Sequence, residues 1–157
     1  MQKITTFLTF AADAEAAAEL YVATFERSKV TGTTHYGGGP MAGQVMTVQF
    51  HLDGQDYVAL NGGPHFQFSE GISLLVDCAG QEEVDRYSEK LLTGGGQQGP
   101  CGWLKDRFGV SWQIIPRVLM QLMSDPDPVK AGRVMEAMMG MTRIDVAGLE
   151  RAYAGRT

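Results

Sequence analysis

Alternation of apolar and polar positions opens the chain. Ile4 to Phe10 reads as a strand with Ile4, Thr6, Leu8 and Phe10 on one face and Thr5, Phe7 and Thr9 on the other. Asp13 then stands as a helix N-cap, and Ala17, Leu20, Tyr21 and Thr24 recur at helical spacing up to Phe25. A weaker strand is predicted over Lys29 to His35. After the Gly37-Gly38-Gly39-Pro40 turn, Gln44 to Leu52 and Gln55 to Asn61 alternate around Asp53-Gly54, a strong hairpin signal.

The same order returns about 66 residues later, so the chain is expected to contain two copies of one unit. Gly71 to Asp77 predicts a strand, and Gln81 to Leu92 a helix with Val84, Tyr87, Ser88 and Leu91 on its apolar stripe. Gly94-Gly95-Gly96 stops that helix. A second hairpin follows, Gly102 to Lys105 and Val110 to Ile115, joined by Asp106-Arg107-Phe108-Gly109, and it holds both tryptophans of the protein. Beyond it, Pro116 to Ser124 predicts a short helix. Asp127-Pro128 caps another, with Ala131, Val134, Met135 and Met138 as its stripe, and a last helix is expected from Asp145 to Ala154.

Each unit is too small to bury its own apolar face, so the two sheets are expected to combine around a shared hollow. The helix-facing set is read as Ile4, Thr6, Leu8 and Phe10, Met46, Val48, Phe50 and Leu52, Val58 and Leu60, Ile72, Leu74 and Val76, and Val110, Trp112 and Ile114. The opposite set lines a cup: Thr5, Phe7, Thr9, Thr47, Gln49, His51, Tyr57, Ala59, Asn61, Gly71, Ser73, Leu75, Ser111, Gln113 and Ile115.

Composition narrows the function. The length of 157 residues fits one domain plus an appendage. A net charge of −5 without a basic cluster argues against nucleic acid as a partner, since a grip on phosphates needs a basic footprint. No signal h-region or membrane-length apolar run is present, which makes the cytoplasm the expected address. The two cysteines, Cys78 and Cys101, are expected to be reduced there. Neither glycine run follows a convincing strand and opens a helix, and neither ends in Lys-Ser or Lys-Thr, so no nucleotide cofactor is expected.

Few residues qualify for chemistry. Gln113 has the best case, because a buried amide needs a partner and a ligand supplies one. Trp103 offers a large flat surface for stacking. His51, beside Gln49, Tyr57 and Asn61, is the weak candidate for a general base, against the plainer reading of a partly exposed strand-end residue. Cys101 has no identifiable base near it in sequence. The methionines at 120, 123, 135, 138, 139 and 141 suit helices packed on their own domain or a contact with a ligand or second chain.

The string Gly94-Gly95-Gly96, Cys101 to Asp106 and Phe108 to Pro116, with Leu60-Asn61-Gly62-Gly63-Pro64 and Gln81-Glu82-Glu83-Val84-Asp85, resembles the PhnB-like branch of the vicinal-oxygen-chelate (glyoxalase and extradiol dioxygenase) superfamily, often labelled demethylubiquinone methyltransferase. The resemblance implies an α+β fold of paired βαβββ modules, residues 1–116 with modules at about 1–64 and 68–116, followed by a helical extension over 117–157, and assembly as a homodimer. Superfamily enzymes hold a divalent metal in the cup; the corresponding positions here fall at Thr5, Ala59, Gly71 and Gln113, a set too poor in donors to bind one. The expected function is therefore metal-free and cofactor-free binding of a small amphipathic or aromatic molecule by Gln49, Tyr57, Asn61, Ser73, Trp103 and Gln113. The alternative is an enzyme of proton transfer, isomerisation or lyase type using His51 or a bound cofactor. The residues give the methyltransferase label no support.

Overall fold

The computed structural model describes residues 1–156, which form two compact units, Met1–Phe68 and Ser69 onward. In the first, the order is β1 (Thr6–Phe10), α1 (Ala14–Thr24), β2 (Lys29–His35), β3 (Val45–Leu52) and β4 (Gln55–Asn61). In the second it is β5 (Leu74–Cys78), α2 (Gln81–Leu92), β6 (Gln97–Gln98), β7 (Trp103–Lys105) and β8 (Ser111–Pro116), followed by α3 (Arg117–Met123), α4 (Pro128–Met139) and α5 (Val146–Tyr153). The sheets run β1-β4-β3-β2 and β5-β8-β7-β6. Each starts with a parallel pair, β1 with β4 and β5 with β8, and continues antiparallel, so the internal repeat extends to strand order and polarity. The α+β architecture of two βαβββ units with C-terminal helices is thus as the family resemblance implied.

Strands form only where a partner faces them. β1 begins at Thr6, opposite Tyr57, and β5 at Leu74, opposite Trp112. Ile4 and Ile72, expected on the helix-facing strands, lie outside them and are exposed. The Asp53-Gly54 turn has positive φ at both residues, the conformation a two-residue hairpin needs, and it pairs Leu52 with Gln55.

That turn sets the register of β4 and overturns one expectation. Phe50 faces Tyr57 and Val48 faces Ala59, so Tyr57, Ala59 and Asn61 share the helix-facing side of the sheet with Leu8 and Phe10. Tyr57 stacks on Phe50 at 5.5 Å, and Phe50 meets Tyr21 of α1 at 6.1 Å. Burial accordingly raises the Tyr57 phenol above its ordinary pKa. Val58 and Leu60 point the other way, because a one-residue shift in a strand exchanges the faces of every side chain. Helix α1 approaches closely because Ala14, Ala17 and Ala18 on its buried face are small. Its cap also differs from expectation: the Asp13 side chain makes no capping bond, and the Ala14 amide donates instead to Asn61 Oδ1 at 2.9 Å.

In the second unit, Leu104, Trp112 and Ile114 are buried on the side that meets α2, whose Val84, Tyr87, Ser88 and Leu91 are buried as the spacing predicts. Ile115, expected in the cup, belongs to a different core with Leu119, Val134, Ile144 and Leu149 of the C-terminal segment. Each fully buried aliphatic there contributes about 1.5–3 kcal/mol. Met138 packs against this core, but Met135 of the expected stripe is exposed, as are Met120 and Met139. Asp127 does cap α4, accepting from the Val129 amide at 2.9 Å.

Candidate ligand-binding site

Antiparallel pairing of β7 with β8 sets Trp103 opposite Gln113 and Lys105 opposite Ser111, so these four side chains share one sheet face. Beside them opens a cleft of about 440 Å³, within the ordinary range for a small-molecule pocket. Its walls are largely apolar and include Trp103, Cys101, Gln98, Lys105, Ser111 and Glu70. Lys105 Nζ and Glu70 Oε1 form an ion pair at the surface, and the bond from Lys105 holds the Glu70 carboxyl below the usual carboxylate range.

The wall at Cys101-Gly102 turns through two consecutive left-handed residues, φ 57° and 83°. The C-terminal segment fixes it: the Cys101 amide donates to Met141 O at 2.9 Å and the Gly102 amide to Thr142 O at 2.7 Å. At the far end of β7, Asp106 anchors the β7-β8 turn from a buried position, accepting from the Phe108 and Val110 amides at 2.9 and 3.1 Å and from Trp112 Nε1 at 3.0 Å. Trp112 is therefore part of the core, and Trp103 is the tryptophan of the cleft.

Of the residues expected to bind a ligand, Ser73, Trp103 and Gln113 come together in the second unit. Gln113 Nε2 donates to Ser73 Oγ at 2.8 Å, and neither residue lines the cleft. Gln49, Tyr57 and Asn61 belong to the first unit. Gln49 Nε2 donates to Thr47 Oγ1 at 2.6 Å, and Thr47 in turn bonds Thr34 at 2.6 Å. Asn61 is committed within its unit, accepting from Ala14 and donating to Val45 O at 3.1 Å. His51 sits at the hairpin end with Nδ1 2.9 Å from Asp56 Oδ1 and Nε2 accepting from the Gly54 amide at 3.1 Å. Both of its ring nitrogens are thus engaged in the turn. Cys78 and Cys101 are free thiols.

Gln98, Lys105 and Glu70 are cleft residues that the sequence reading missed. Gln98 lies on the two-residue strand β6, too short for periodicity to reveal, and Glu70 lies in a connection with no pattern at all.

The positions implied for a metal do not suit one. Thr5 precedes β1, Ala59 is fully buried on the helix-facing side, Gly71 precedes β5, and Gln113 is bonded to Ser73. Among the described residues no three His, Cys, Asp or Glu side chains are grouped to hold an ion. The glycine runs lie between β2 and β3 and between α2 and β6, and neither opens a helix to receive phosphates. Among the described residues no helix is long and apolar enough to cross a membrane.

A family model described as 3-demethylubiquinone-9 3-methyltransferase matches residues 2–115. The chain belongs to that family. Among solved structures it is similar to a PhnB protein from Bacillus cereus that carries the same methyltransferase description provisionally, at 34% identity over 73% of this chain and 99% of that one, with a TM-score of 0.65. A protein from Pseudomonas aeruginosa is 18% identical over 74% of this chain and 98% of that one, TM-score 0.61. The fosfomycin resistance protein FosX from Mesorhizobium loti is 14% identical over 73% and 91%, TM-score 0.51. The last two show the fold alone, that of the glyoxalase, bleomycin-resistance and dioxygenase proteins. No curated protein matches the chain. The helices α3 to α5 lie beyond the matched region, although α5 and its approach supply the contacts that hold the cleft wall and its core.

Proposed function

We propose that this protein binds a small organic molecule in the cleft of its second unit and does so without a catalytic metal. The observation that carries the reading is Trp103: half-buried, lining a largely apolar cleft, and flanked on the same sheet face by Lys105 and Ser111, which line it too. An indole so placed supplies stacking surface, and the polar neighbours supply orientation. The donor-poor residues at Thr5, Ala59, Gly71 and Gln113 support metal-free binding. Methyl transfer has no support in the glycine runs, and acid-base catalysis has none at His51, whose ring is occupied by the hairpin. A homodimer in the cytoplasm fits the same reading. Phe7 of β1 and Leu75 of β5, at equivalent places in the two sheets, are 57% and 58% exposed, apolar area that a second copy would cover.

A thermal-shift screen with small aromatic compounds, and separately with zinc and nickel, tests the proposal. Aromatic compounds are expected to raise the melting temperature of the wild type and to lose that effect in Trp103→Ala. Stabilisation by a metal with no response to any aromatic compound overturns it.

A further inference from the structure

We infer that the cleft selects an uncharged aromatic compound carrying a hydroxyl group, a ligand of the phenol class; this rests on the binding proposed above. Two buried polar atoms of cleft-lining residues have no hydrogen-bond partner, Ser111 Oγ and Gln98 Oε1. Ser111 is only 3% exposed, and the register puts it on the same sheet face as Trp103. A buried hydroxyl without a partner is costly, so its retention beside a cleft points to a partner that arrives from outside. The orientation of the Gln98 amide follows from its other bonds. Its Nε2 donates to Trp103 O at 2.9 Å and to Gly99 O at 3.3 Å, which leaves Oε1 as the atom without a donor.

Gln98 pairs with Leu104 and Ser111 with Lys105, so the two orphans belong to opposite faces of the sheet and Ser111 is the one on the Trp103 side. Its Oγ both donates and accepts, and a ligand hydroxyl, which does the same, suits it in either role. The cleft's cation, Lys105, is paired with Glu70, which lines the cleft beside it, so the charged side chains of the lining carry no net charge toward an anionic group. The rest of the ligand meets the Trp103 indole and apolar wall, which a flat ring covers best.

Three probes of similar size separate the possibilities: phenol, toluene and benzoate, titrated into the whole protein and followed by tryptophan fluorescence. Trp103→Phe assigns the signal to the cleft, because Trp112 remains in the core. Phenol is expected to bind saturably and at least about tenfold more tightly than toluene or benzoate. Ser111→Ala is expected to bring phenol down to the affinity of toluene, to leave toluene unchanged, and to melt no lower than the wild type, since the deleted hydroxyl has no partner to lose. Equal binding of phenol and toluene overturns the hydroxyl requirement while leaving aromatic binding in the cleft intact. A preference for benzoate overturns the uncharged class. Ser111→Ala that melts lower and keeps its phenol affinity overturns the role given to Ser111. Silence of all three probes overturns the class, and together with a blank aromatic screen it removes the binding reading as well.

Discussion

Asn61 Oδ1 lies 2.9 Å from the Ala14 amide, so a side chain at the end of β4 caps a helix 47 residues earlier in the chain. Its Nδ2 meanwhile donates to Val45 O. One amide therefore closes a helix terminus and ties two strands, satisfying backbone groups that burial would otherwise leave costly.

Asn61→Ala is expected to destabilise the protein by about 1–3 kcal/mol, since it orphans a buried amide and a carbonyl together. Urea denaturation followed by circular dichroism measures it. Ligand binding in the second unit is expected to survive at urea concentrations where the variant remains folded. Loss of binding without loss of stability would mean that Asn61 acts on the ligand after all.

Asp106 carries a comparable burden in the second unit. It is 3% exposed, and its carboxylate accepts from the Phe108 and Val110 amides and from the Trp112 indole. Asp106→Ala is expected to cost about 2–4 kcal/mol, with donors left unpaired beneath the β7-β8 turn. The fluorescence maximum of Trp112, recorded in a Trp103→Phe background, should shift to the red as the indole gains access to water.

Gly102 tests the support of the cleft wall. Its φ is 83°, and an added Cβ would come within 3.0 Å of Ile114 O, Ile115 and Ile144. Gly102→Ala is expected to cost about 2–4 kcal/mol from strain and overpacking combined. Thermal unfolding measures the loss. Gly80→Ala, where nothing lies within 4 Å and φ is extended, serves as the tolerated control.

Cys78 supplies a pH dependence. Burial, with the Glu83 and Asp77 carboxylates adding to it, pushes its thiol from an ordinary 9.0 up to about 12. The folded state thus favours the protonated thiol. The associated stability is fully present below pH 9 and is lost as pH rises toward 12. Unfolding free energies from urea titrations at pH 7.5 and 10.5 should fall more steeply for the wild type than for Cys78→Ala; equal slopes would contradict the burial argument. In native protein near neutral pH, a thiol reagent should reach the half-buried Cys101 and spare Cys78.

Much of the fold was legible because periodicity is a local property. The α2 stripe of Val84, Tyr87, Ser88 and Leu91 could be read directly, as could the Asp53-Gly54 hairpin, the Asp127-Pro128 cap and the repeat of one strand-helix-strands order. The facing of β4 was legible too, in the turn rather than the alternation. A two-residue loop that pairs Leu52 with Gln55 also pairs Phe50 with Tyr57 and Val48 with Ala59. Apolar pattern alone misassigned it, since β4 carries Val58 and Leu60 on one side and Tyr57 and Ala59 on the other. Either set passes for a core face.

What the chain determines by itself is therefore the set of elements other than β6, and their duplication. Each depends on residue type and spacing within a few turns or strands. The cleft belongs to tertiary structure alone. Trp103, Lys105 and Ser111 share it because β7 and β8 pair in one register, and its wall holds because Met141 and Thr142 accept bonds from Cys101 and Gly102. Which buried polar atoms go without a partner follows from that pairing. Spacing along the chain carries no record of a hydrogen bond that fails to form.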